Sequence, residues 1–122
     1  MDFWFLIVGA LLSFIGMLFH GIVGHQKYIG NINNSELESL SKSLSLVSWH
    51  MFTILLFVST VSLLYVAYSP TTYFILYPVI SINILGSFLF ILLGALGHKR
   101  LLTLPGAYLT GFTAFFAYLG LQ

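Results

Sequence analysis

Residues 44–96 read LSLVSWHMFTILLFVSTVSLLYVAYSPTTYFILYPVISINILGSFLFILLGAL. No Asp, Glu, Lys or Arg interrupts this stretch, and its one punctuation mark is the turn Ser69-Pro70-Thr71-Thr72. On either side, from about Leu44 to Tyr68 and from about Tyr73 to Leu96, lie the roughly 20 apolar residues that a helix needs to cross a hydrocarbon core of about 30 Å. Lipid offers no partner to free backbone N–H and C=O groups, and these segments are too long for barrel strands, so both spans are expected to be helical.

Working outward, a third apolar segment runs from about Phe3 to Val23 and a fourth from about Leu101 to Leu121. The turns at Ser69 to Thr72 and Gly97 to Arg100 are tight, which makes spans two, three and four antiparallel neighbours. The expectation is a single all-α domain: an integral membrane four-helix up-down bundle. A composition of 59% hydrophobic and 6% charged residues, with a mean hydropathy of +1.03, leaves too little polar surface to cover a water-soluble globule. The chain opens Met1-Asp2-Phe3-Trp4 without a basic region, so the first apolar run reads as a retained span rather than a signal peptide.

Charge and cysteine content exclude several kinds of chemistry. With no cysteine, neither disulfides nor thiolate chemistry exist, and any metal would need nitrogen or oxygen ligands. A net charge of +1 without a basic run gives no footprint for nucleic acid. Lys27, Lys42, Lys99 and Arg100 all fall in the first and third connections. The positive-inside rule places those connections in the cytoplasm and both termini on the non-cytoplasmic side, as in a bacterial inner membrane. Aromatic residues agree: Phe3, Trp4, Tyr65, Tyr68, Tyr73, Tyr77 and Tyr118 mark the outer boundary, and Tyr28 and Trp49 the inner one.

Local signals refine the boundaries. Ser35 followed by Glu38 reads as a capping box that starts the second helix near Glu36. The connection Gly24 to Ser43, with Gly30, Asn31, Asn33 and Asn34, reads as a long polar loop. Pro105 suits the first turn of span four, whereas Pro78 predicts a kink in span three or a later start.

Inside the spans, small and polar residues share faces at helical spacing. Gly9, Ser13, Gly16, His20 and Gly24 form one stripe, and Ser43, His50, Thr53 and Thr60 another that Leu46 and Phe57 interrupt. Asn83, Gly86, Ser87, Gly94 and Gly97 group on span three, and Gly106, Thr110, Thr113, Ala117 and Gly120 on span four. Such faces belong in the interior, where small residues let helices approach closely. Asn83 is expected to bond Ser13, Thr60 or Thr113 across the bundle.

Ionisable groups within spans are costly and mark candidate sites. His20 and His50 come out at similar depth near the inner surface and are predicted to meet on facing helices, as a cofactor-binding pair. His25 and His98 lie at the same end and complete a candidate metal set of His20, His50, His25 and His98. His25 would join only if the helix breaks at Gly24. By ligand type such a group suits zinc, nickel, copper(II) or ferrous iron, axial ligation of a b-type haem, or hydrogen bonding to a quinone head group. The structural alternative is a buried imidazole bonded to a neighbouring carbonyl or hydroxyl. No carboxylate lies within a span, which argues against carboxylate-driven ion antiport, and no paired carboxylates or nucleophile with base suggest an enzyme.

The run Leu18-Phe19-His20-Gly21-Ile22-Val23-Gly24, the Ser48-Trp49-His50 entry to span two, and Gly97-His98-Lys99-Arg100 leading to Pro105 resemble a group of small bacterial four-span membrane proteins of uncharacterised function. The first connection here is less basic than is usual in that group. The resemblance implies the fold and the orientation and adds weight to His20 and His50, but it supplies no activity. Two functional classes follow: a component that binds or transports a metal, haem or quinone at the histidines, or an accessory subunit of a homodimer or larger membrane complex.

Overall fold

A computed structural model describes residues 1–122 and is all-α. The first rod opens at Asp2, whose carboxylate accepts the amides of Trp4 at 2.9 Å and Phe5 at 3.4 Å and so caps helix α1 (Phe3–Leu18). The rod continues through a π-helical segment (Phe19–Ile29) and closes with one α turn, α2 (Gly30–Asn33). Helix α3 covers Ser39–Tyr68, a 3₁₀ segment covers Pro70–Ile75, and α4 covers Leu76–Ala95. A second 3₁₀ segment (Lys99–Thr103) leads into α5 (Pro105–Leu121). Three continuous helical stretches, Phe3–Asn33, Ser39–Tyr68 and Pro70–Ala95, are long and apolar enough to cross a membrane. Helix α5, with 17 residues, is the shortest of the four rods.

Several boundaries differ from the sequence expectation, each for a local reason. The first rod does not stop at Val23, because its backbone keeps bonding through Gly24 and on to Asn33. The expected long loop is thereby reduced to residues 34–38. The capping box does not form: Ser35 donates its hydroxyl to Ile32 O at 2.6 Å, finishing the rod behind it rather than starting the helix ahead. Helix α3 begins at Ser39, three residues after the expected start near Glu36. Pro78 lies in the first turn of α4, so the later start applies. Gly97, at φ 119°, ends the third rod, with His98 N–H returning to Leu93 O at 3.0 Å. Pro105 takes the first position of α5, as its missing donor predicts, and that helix starts four residues later than hydropathy suggested.

The rods form an open arrangement rather than a closed square. Helix α1 packs along both α3 and α5, and α4 packs along α5, whereas α3 and α4 touch at few places despite the short turn between them. The end carrying the termini is the tight one. There Leu6, Ala10, Leu63, Val66, Leu76 and Ala117 form the core, and Asp2 N–H bonds Gly120 O at 3.0 Å to tie the first and last rods together.

Burial is inverted relative to a soluble bundle. Ser13, Ser59, Thr60, Asn83, Thr110 and Thr113 are buried, while Leu85, Phe88, Ile91 and Phe112 stand on the outside. The buried hydroxyls use backbone carbonyls: Ser13 donates to Leu56 O at 2.9 Å, and Thr60 and Thr110 bond back one turn. Asn83 meets none of its expected partners. Its amide donates instead to Ser59 Oγ at 3.0 Å and to Val79 O at 2.9 Å, forming one of the sparse links between α3 and α4.

Candidate functional site

The histidines of the first rod lie on the π segment, and that geometry decides where they point. In an α-helix, residues five apart face different directions. With i→i+5 bonding the turn widens, and His20 and His25 are stacked one above the other on the side facing α3. On α3 the ordinary i, i+3 and i, i+4 relations bring Trp49, His50 and Thr53 to one side. The helix therefore does not break at Gly24, as the sequence reading required for His25 to participate; it widens.

The resulting pairing differs from the expected one. His20 does not bond His50: its Nδ1 is hydrogen-bonded to Thr53 Oγ1 at 3.0 Å. His50 bonds His25, with His25 Nδ1 and His50 Nε2 3.0 Å apart. His98 is exposed at the turn between α4 and α5. The four-histidine metal set is therefore not assembled, and no group of three His, Asp or Glu side chains comes together to hold a metal ion.

Around His20 the side chains form a column of flat rings. The His20 and Trp49 rings lie parallel, with centroids 4.0 Å apart and planes inclined by 11°. Tyr28 covers the other face of Trp49 at 4.5 Å and 18°. Phe52 meets His20 edge-on at 5.0 Å. The indole N–H of Trp49 donates to His20 O at 3.0 Å, which fixes the ring's rotation about its own axis. Gly24 is required beneath it, because a Cβ there would lie 2.5 Å from Trp49 Cζ2.

This column forms one wall of a cleft of about 500 Å³ that opens where α3 and α4 diverge. Ser45, Ser48 and Phe52 continue the wall along α3, and Gly86, Leu89 and Phe90 of α4 face them. The cleft is an open groove, mostly apolar, with a polar edge made by His20, Tyr28, Ser45 and Ser48. His20 lines it, whereas His25, His50 and His98 do not. From the sequence, Tyr28 and Trp49 are boundary markers, Ser48 and Trp49 also belong to the resemblance and Gly86 to an inward face, whereas Ser45, Phe52, Leu89 and Phe90 go unmarked. The signal available is the recurrence of Ser45, Ser48, Trp49 and Phe52 at helical spacing, on the face beside the stripe of Ser43, His50, Thr53 and Thr60.

Comparison with protein-family models, with curated proteins and with solved structures finds no match to this chain.

Proposed function

We propose that this chain is a membrane-embedded binding protein for a flat, ring-bearing, lipid-soluble molecule of the quinone class, taken up through the gap between α3 and α4. The observation that carries this reading is the aromatic column of His20, Trp49 and Tyr28 along a cleft with a polar edge and an apolar mouth. A quinone head group presents a flat face and carbonyl acceptors. The hydroxyls of Ser45, Ser48 and Tyr28 and the second ring nitrogen of His20 supply donors, Phe52 and Phe90 supply ring contacts, and the tail leaves past Leu89 towards the lipid. Transition-metal or haem binding is less well supported, because only one histidine faces the cleft.

In this reading the rods stand across a bilayer of the inner bacterial type. The histidine end lies in the cytoplasm, where Lys27, Lys42, Lys99 and Arg100 are all found, and the termini lie outside. The cleft then sits near the inner head-group region and is reached sideways from the acyl chains.

The test is titration of the purified protein in nanodiscs with a short-chain benzoquinone, read by quenching of Trp49 in a Trp4→Phe background. Saturable quenching, abolished by Ser48→Phe, which fills the cleft, supports the proposal. Quenching that rises linearly with quinone in both proteins is partitioning into lipid and refutes it.

A further inference from the structure

The His25–His50 pair lies outside the cleft and takes no part in holding a ring there. Its rings come from two different rods, with centroids 5.0 Å apart and planes inclined by 33°. A hydrogen bond between two ring nitrogens needs one N–H and one lone pair. The bond therefore exists when neither ring or one ring is protonated. It is lost when both are, since two N–H groups and two like charges then face each other.

No carboxylate of the two rods stands ready to pair with a second charge. The other charged or titratable side chains at this end of the two rods are His20, Lys27 and Tyr28 on the first and Lys42 on α3. Neither the Phe3–Asn33 rod, including α2, nor α3 contains Asp or Glu. Glu36 and Glu38 lie at the tip of the hairpin, and Glu38 is separated from His50 by about 18 Å of helix at about 1.5 Å per residue. Helix α4 carries no charged side chain. Its end leads to His98, Lys99 and Arg100.

What this pair holds is visible in its sequence neighbours. Gly24 precedes His25 and Trp49 precedes His50, and it is Trp49 that fills the space over Gly24. A bond between the two histidines thus clamps the π segment onto α3 one residue away from the contact that seats the indole. We infer that His25 and His50 form a proton-operated latch, closed when they share a proton, that keeps the His20–Trp49–Tyr28 column assembled and releases it when both rings are charged. Release of the column stands independently of any ligand. The corollary, that acidification weakens ring binding in the cleft, rests on the function proposed above.

The experiment uses the full chain with Trp4→Phe, so that Trp49 is the single tryptophan, in nanodiscs without quinone. Trp49 emission and its quenching by acrylamide are followed as the pH falls from about 8 to about 5, the range in which histidine titrates. The expected result is one step towards a more accessible indole. That step is lost in both His25→Gln and His50→Gln, which cannot carry a second charge, and kept in His20→Phe, which retains a stacking ring. No step in the parent, or a step that persists in either glutamine variant, overturns the latch. Loss of the step only in His20→Phe also overturns it, by assigning the titration to the column itself. Failure to bind benzoquinone in the separate titration described above, with the step intact here, counts against the cleft proposal alone.

Discussion

The two ends of this bundle solve different problems with the same composition. At the end carrying the termini, rods touch through small side chains: a Cβ on Gly9 would meet the backbone of Thr113 and Ala117 at 3.5 Å, and one on Gly120 would strike Leu6. At the histidine end the spacing is set by rings, and α3 and α4 diverge around a cleft. The difference teaches that closeness and openness are both written in side-chain size. Gly, Ala and Thr let backbones approach at the first end, while at the second Trp49 fills the space over Gly24, Phe90 that over Gly106 and Phe52 that beside Gly86. The tight core belongs to the first end and the cleft to the second.

That division is broken or sharpened by a graded set of substitutions. The largest effect is expected from Leu6→Ala, which empties a core position only 1% exposed. A loss of about 2 to 5 kcal/mol in unfolding from detergent is expected, against less than about 0.5 kcal/mol for Leu89→Ala on the cleft wall. Comparable losses at the two sites would erase the contrast. Next, Gly24→Ala drives a Cβ against Trp49 and should lower quinone affinity about tenfold, about 1.4 kcal/mol, with the thermal midpoint nearly unchanged; calorimetric titration beside a melting curve separates the two. Asn83→Ala removes a buried bond to Ser59 and should cost about 0.6 to 2 kcal/mol of stability, the range for hydrogen bonds between helices in lipid. A larger loss would mean that the sparse α3–α4 contact carries more of the fold than its geometry suggests.

The smallest effect has the opposite sign. Thr113 Oγ1 is fully buried and has no hydrogen-bond partner. Thr113→Val keeps the shape and removes the unpaired hydroxyl, and a gain of up to about 1 kcal/mol is expected in the same unfolding assay. A loss would show that the hydroxyl has a partner, such as an ordered water.

Much of the architecture was legible in the chain itself. Length and hydropathy mark the rods, Pro70 and Pro105 mark turns, and Gly9, Ser13, Gly16, Thr110, Thr113 and Ala117 identify inward faces because small residues at helical spacing let helices approach closely. Three features were not legible. The π segment leaves no compositional trace, since widening a turn changes which residues align without changing which residues are present; only the five-residue spacing of His20 and His25 hints at it. The gap between α3 and α4 was hidden because a tight turn fixes the order of two helices and not the angle between them. Ser59 was passed over as Asn83's partner because it stands beside Thr60, and both hydroxyls face inward. The site suffered most: His20 and His50 were expected at one level, whereas the π segment sets His20 beside Thr53 and His25 beside His50, so register and rotation about the helix axis together decide the partners.

The sparse α3–α4 interface has a consequence for biogenesis. During synthesis the first rod meets α3 as soon as both have emerged, so an early hairpin can settle while the ribosome is still working. Helix α4 finds little to hold on that hairpin and gains its main neighbour only when the final seventeen residues arrive. The third segment must therefore wait for its partner, and a chain truncated before Pro105 would be left with a loose arm exposed to quality-control proteases.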